Sequence, residues 1–248
     1  MIDPLTLATL GGVGLVAGFI DAIAGGGGLI SVPALLSAGL PPIATLATNK
    51  MQSVVGTTIA ALTFGRKGFF ALRQMVLPIA ATFAGAYLGA LSVKQVDTSL
   101  LASVVPAALV LIALYFLVSP RLTDSDRAAR LGFAVFVPIT GFLIGFYDGL
   151  FGPGTGSFFT LAFVSLFGLG VTRAAGHTKL LNATSNYAAL ALFIPAGDVV
   201  WSVALTMAAG QLAGGYLGAL TGIRFGASII RPLVVVVSIA MALRLLFS

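Results

Sequence analysis

Apolar runs of about 20 residues, broken by short stretches rich in glycine, proline and charge, make up nearly the whole chain. About 20 apolar residues is the length at which a helix crosses a ~30 Å hydrocarbon core, so each long run predicts a membrane-spanning helix. The runs fall at 5–24, 43–64, 71–93 and 99–118, and again at 131–151, 174–194, 199–221 and 227–247. Two shorter pieces, 29–38 and 157–169, each follow a glycine-rich break. They are marginal as spans and equally consistent with re-entrant segments. A β-barrel would need shorter segments alternating between lipid and lumen, and that period is absent. The expected fold class is therefore all-α: a polytopic helical membrane protein.

Composition strengthens this picture. The chain is 58% hydrophobic and only 8% charged, with a mean hydropathy of +1.10, whereas a soluble domain uses roughly 25% charged residues. Lipid is the physical candidate for covering such a surface. The absence of cysteine excludes a disulfide framework and a thiolate metal site, and a single histidine excludes a histidine-rich cluster. No metal and no cofactor is expected. The net charge of +6 has no soluble basic face to sit on, so nucleic acid is not an expected partner, and much of it is topogenic. Residues 1–24 lack a basic leader region and read as a retained first helix.

The chain repeats itself. Tyr87-Leu88-Gly89-Ala90-Leu91 recurs as Tyr216-Leu217-Gly218-Ala219-Leu220, an offset of 129 that also aligns Gly39-Leu40 with Gly168-Leu169, Lys50 with Lys179 and Phe64 with Phe193. Gly18-Phe19-Ile20-Asp21 matches Gly145-Phe146-Tyr147-Asp148 at an offset of 127, a two-residue insertion in the second glycine-rich turn accounting for the difference. The expected organisation is an N-terminal repeat over 1–118, a polar linker over 119–130 and a C-terminal repeat over 131–248, each repeat with about four long helices and one short or re-entrant one. Arg66, Lys67 and Arg73 follow the third segment of the first half, where the second half carries only Asp198; Lys94 stands alone in the next loop, where the second half has Arg224 and Arg231. If the halves are inverted, these clusters and the linker, with Arg121, Arg127 and Arg130, fall on one side, as positive-inside topology requires. Inverted repeats are the favoured arrangement.

Polar chemistry concentrates at two matched places. The first is the pair of breaks, Asp21-Ala22-Ile23-Ala24-Gly25-Gly26-Gly27-Gly28 and Asp148-Gly149-Leu150-Phe151-Gly152-Pro153-Gly154-Thr155-Gly156. Paired interrupted helices of this kind point to midplane binding sites in transporters, because helix N-termini receive anions through free N–H groups. The plainer use of such glycines is tight helix packing. The second place is Thr48-Asn49-Lys50-Met51-Gln52-Ser53, aligned with His177-Thr178-Lys179-Leu180-Leu181-Asn182. A lysine near the centre of a span costs about 2.5–3.5 kcal/mol on insertion scales, so two at one repeat position favour a cavity or partner over snorkelling. Lys50 and Lys179 would neutralise an anion whose oxygens also take bonds from Thr48, Asn49, Thr178 and Asn182. Asp21 and Asp148 have three open roles: pairing with the lysines, carrying a coupled proton, or capping the break. His177 reads as a structural residue or a coupling group, and Arg173 as topogenic or anion-attracting.

With these residues the chain resembles the TauE/SafE sulfite exporter family, also called the four-toluene-sulfonate uptake permease family. The resemblance rests on Ala17-Gly18-Phe19-Ile20-Asp21 through Gly28, Pro33, Gly39-Leu40-Pro41 and Ala47-Thr48-Asn49-Lys50. In the second half Gly145-Phe146-Tyr147-Asp148 through Gly156 resembles the YfcA-like bacterial subgroup. The resemblance implies a bacterial cytoplasmic-membrane permease for small sulfur-containing anions such as sulfite or organosulfonates, working without ATP hydrolysis. Pro153 and Thr155 depart from a plain glycine run, so the two half-sites are not strict equivalents.

The leading expectation is a secondary anion transporter whose site lies between the halves, built from Gly25, Gly26, Gly27, Thr48, Asn49, Lys50, Gln52, Gly152, Gly154, Thr155, Thr178, Lys179 and Asn182. A passive anion channel, or a permease for another small metabolite, would use the same residues. An enzyme is not expected, since no nucleophile–base pair or metal cluster stands out. The partners are the bilayer and the small anion, and small-residue faces also allow a homo-oligomer.

Overall fold

The structure, a computed structural model, describes residues 3–93, 114 and 123–247. The expected span at 99–118 (Leu114 apart), Lys94, Arg121 and the start of the linker lie outside the described residues. All described elements are helices: α1 (Pro4–Ala24), α2 (Gly28–Ser37), α3 (Pro42–Arg66), α4 (Leu72–Ser92), α5 (Phe133–Leu150), α6 (Thr155–Ser165), α7 (Val171–Phe193), α8 (Trp201–Phe225) and α9 (Ala227–Phe247). Of these, α1, α4, α5 and α8 are long and apolar enough to cross a membrane. The central helices α3 and α7 are as long but more polar, because they carry the Thr48–Ser53 and His177–Asn186 stretches inward.

The helix ends follow local chemistry. Asp3 accepts the Thr6 N–H (2.9 Å) and Pro4 opens α1, a start that satisfies one of the free N–H groups and uses a residue with none. The helix stops at Gly25, whose φ of 78° is a conformation natural to glycine. Its counterpart after α5, Gly152, has φ of 89°. Asp124 of the linker accepts from the Thr172 N–H (3.1 Å) and from the Ala227 N–H (3.0 Å), so one side chain ties down the starts of α7 and α9.

Both short helices double back. Leu35, near the end of α2, and Leu40, just beyond it, cluster with Leu10 and Leu7 near the start of α1. Phe163 and Phe167, at the end of α6, pack on Phe133 at the start of α5. With 10 and 11 residues, each reaches about 15 Å at 1.5 Å per residue, half of a hydrocarbon core.

Contacts fix the directions of the long helices. Along α1 and α8, Gly14 meets Met207, Gly18 meets Gln211 and Phe19 meets Gly218, so the two run the same way. Along α3 and α8, Gly56 meets Gln211 and Phe64 meets Gly222, again with numbers rising together. Thr82 meets Gly145 and Ala86 meets Gly149, which makes α4 and α5 parallel. Thr57 meets Asn186 while Phe64 meets Gly176, so α7 opposes α3. Leu72, at the start of α4, lines one cavity with Leu180, and Ala90, near its end, shares a cluster with Leu190 and Phe193 at the end of α7, so α4 runs with α7. One set, α1, α3 and α8, therefore opposes the other, α4, α5 and α7. Glycine brings these backbones together, which is the packing role small residues play between membrane helices.

Candidate functional site

The two glycine-rich turns meet at the centre of the molecule. Gly25 and Gly156 are in backbone contact, with no room for a Cβ on either, and the Ser157 hydroxyl donates to the Ala24 carbonyl (3.2 Å). Beside this contact, α3 and α7 present their polar faces. The result is a chamber of about 20 Å³ lined by Asp21, Gly25, Gly28, Asn49, Lys50, Ser53, Thr57, Asp148, Gly152, Gly154, Thr155, Asn182 and Asn186. That volume holds about one water.

The matched charges pair across the halves. Lys50 Nζ lies 2.7 Å from Asp148 Oδ2, both side chains almost wholly buried. Lys179 Nζ lies 3.3 Å from Asp21 Oδ2 and also donates to the Asp21 carbonyl. Each aspartate has partners besides its lysine. Asp21 Oδ1 accepts the Gly27 N–H (3.1 Å) at the start of α2, and Asp148 accepts hydroxyls from Thr155 (2.6 Å) and Ser185 (2.5 Å). Of the roles open to these aspartates, both pair with a lysine, and Asp21 also caps its break. Buried charges need this degree of satisfaction, since an unpaired one costs several kcal/mol, roughly.

Donors face the chamber. Asn49 Oδ1 is occupied by the Ser31 hydroxyl (2.6 Å) and Gln52 Nε2 (2.8 Å), which leaves the Asn49 amide nitrogen pointing to the Gly28 side of the chamber. Lys50 carries three N–H donors and is paired with the single carboxylate of Asp148. A side-chain amide nitrogen, an ammonium with spare donors and the start of α6 converge on one small space. This is an environment suited to oxygen acceptors carrying negative charge.

Not every residue expected at the site faces the chamber. Gly25, Asn49, Lys50, Gly152, Gly154, Thr155 and Asn182 do. Gly26 packs on Val237, and Gly27 packs on Asp21 and Ala17, so two of the four glycines serve packing. Gln52 orients Asn49. Thr48 accepts the Val200 N–H (3.1 Å), Thr178 meets the Thr160 hydroxyl (3.2 Å) and Lys179 is sealed beneath Asp21. His177 sits among Phe70, Phe133 and Phe163, its Nδ1 2.8 Å from the Arg173 carbonyl, away from the chamber. Arg173 pairs with Asp126 at the surface. Ser31, Thr57, Ser185 and Asn186 were less visible in the sequence, although the offset of 129 equates Ser31 with Thr160 and Thr57 with Asn186. Extending the repeat register to single polar positions finds Ser31, Thr57 and Asn186, but sets Ser185 opposite Gly56.

The sulfite exporter TauE/SafE family model matches residues 10–245. A "probable membrane transporter protein YfcA" of Escherichia coli is 44% identical over 100% of this chain and 92% of its own length. A "probable membrane transporter protein ORF9" of a Sinorhizobium species is 48% identical over 97% of this chain and 92% of its own. A "probable membrane transporter protein" of Haemophilus influenzae is 44% identical over 97% and 94% respectively. No solved structure matches the chain.

Proposed function

This chain belongs to the sulfite exporter TauE/SafE family, and from that premise we propose that it is a secondary transporter of small anions whose site is the chamber between the two glycine-rich turns. It is a multi-pass membrane transporter. The substrate class is sulfite, an organosulfonate or a related sulfur oxyanion, and the location is the bacterial cytoplasmic membrane. The observation that carries the reading is the Lys50 ammonium, buried, facing the chamber and matched by one carboxylate, next to an Asn49 amide held with its N–H₂ toward the same space.

The two halves are inverted repeats in this reading. Support comes from the opposed directions of equivalent helices, α1 against α5 and α3 against α7, and from the basic residues that inversion gathers on one side. The small volume of the chamber favours a carrier over an open channel, because an oxyanion enters only when the surrounding helices shift.

The four buried charges sum to zero, so an anion alone would add an uncompensated charge. For a singly charged anion, a proton arriving on Asp148 keeps the sum at zero and releases Lys50 to the anion. Thr155 and Ser185 can follow that change, since hydroxyls donate or accept. Asp148 is therefore the coupling group in this proposal, and His177 has no part in it.

The test is binding of sulfite, thiosulfate, sulfoacetate, sulfate and acetate to purified protein, read as a rise in melting temperature, with uptake measured in proteoliposomes. The expected result is a shift confined to sulfur oxyanions and lost in Lys50→Ala. A shift of equal size in Lys50→Ala, in folded protein, overturns the site.

A further inference from the structure

We infer that the anion reaches the chamber through one half of the α3–α7 interface, on the side of Arg66, Lys67 and Arg73, and that Tyr187 is the gate on that route; this rests on the chamber being the anion site. The repeat register equates Thr57 with Asn186 and Thr58 with Tyr187. Both pairs touch: Asn186 Nδ2 donates to Thr57 Oγ1 at 3.4 Å, and Thr58 Oγ1 donates to the Tyr187 hydroxyl at 3.1 Å. Equivalent residues meet in this way only at the crossing point of two related helices, so this point divides the interface into matched halves.

The halves are not alike. On one side lies a cavity of about 490 Å³, lined by Ala61, Phe70, Leu180, Ala183 and Thr184, with Arg66 at its edge. On the other side the register replaces Ala61 by Leu190, Ala183 by Val54 and Thr184 by Val55. These larger side chains are packed together with Phe193 and Val199. At these three positions the smaller side chains stand on the side of the cavity.

The cavity and the chamber are separated by one layer. Thr57 and Asn186 line the chamber, while their chain neighbours Thr58 and Tyr187 line the cavity. Tyr187, half exposed, is the largest group there, and a change of its rotamer breaks the bond to Thr58 and uncovers the Thr57–Asn186 pair behind it. Charge points the same way. Arg66 forms no ion pair among the described residues, and Lys67 and Arg73 follow it, whereas the matching loop of the second half carries Asp198. A basic rim raises the local concentration of anions, and the apolar wall beyond it offers few groups on which they would lodge. The occupant of the cavity is thus the hydrated anion in transit.

The chain lacks cysteine, so single cysteines report access without background. The experiment places Ala183→Cys and its repeat equivalent Val54→Cys in proteoliposomes and measures reaction with a charged, membrane-impermeant thiosulfonate and with a neutral, lipid-soluble maleimide. The expected result is reaction of Ala183→Cys with the charged reagent at least ten times faster than that of Val54→Cys. Tyr187→Phe, which removes the bond to Thr58, should speed charged labelling of the chamber position in Ser53→Cys. Filling the cavity with the other half's residues, Ala61→Leu with Ala183→Val, should cut uptake at least tenfold while equilibrium anion binding persists. Reaction of Ala183→Cys with the neutral reagent alone would place the cavity in lipid and overturn the route, as would equal charged labelling at both positions or unchanged uptake in the filled variant. Labelling needs no knowledge of the substrate. Loss of this route with Lys50-dependent binding intact rejects the route alone; loss of that binding rejects the anion site.

Discussion

The two buried ion pairs occupy equivalent positions of the repeat, yet their surroundings differ. Lys179 donates to both the carboxylate and the backbone carbonyl of Asp21 and is excluded from the chamber. Lys50 meets only the carboxylate of Asp148 and lines the chamber wall. Asp148 is moreover held by two hydroxyls that persist if the lysine is withdrawn. Duplication supplied two copies of one motif, and their surroundings have divided them: one pair locks the turn after α1, and the other can exchange its partner for a ligand.

The largest effect that could break this comparison is on stability. Removing one partner of a buried pair costs roughly 3–5 kcal/mol, and we expect Lys179→Met to lower the thermal unfolding midpoint in detergent by far more than Lys50→Met. The reverse order would assign the structural role to the wrong pair. A smaller effect separates the aspartates. Asp148→Asn removes the charge that competes with the anion for Lys50, so anion affinity should rise roughly tenfold, since close charge pairs couple by about 1.5 kcal/mol or more. Titration calorimetry at fixed salt and pH would measure it. Asp21→Asn should raise affinity less, since Asp21 lines the chamber but its lysine does not. The smallest effect concerns Asn49. Gln52→Leu frees one of the two bonds that orient its amide, a loss of about 0.5–1.5 kcal/mol, so binding should weaken severalfold with the melting temperature of the unliganded protein little altered. No change in affinity would mean that the Ser31 bond alone orients the amide.

The plainest features are legible in the sequence. Apolar runs placed the described helices to within a few residues, because in lipid a backbone must satisfy its own hydrogen bonds and a helix is the local way to do so. The 129-residue register paired Lys50 with Lys179, and the 127-residue register paired Asp21 with Asp148, since duplication preserves the order of residue types along the chain.

What the order could not reveal was which atoms meet. That Lys50 takes Asp148 and Lys179 takes Asp21, each across the halves, depends on the turns touching at Gly25 and Gly156. That Gly26 and Gly27 pack while Gly25 and Gly28 line the chamber depends on where Val237 and Ala17 arrive. The sequence alone determined the helices, their repetition and the kinds of polar group placed among them, all of them properties of neighbours along the chain. Only the tertiary structure decided which lysine faces the chamber, because orientation and burial are set by the side chains that other helices bring from more than a hundred residues away.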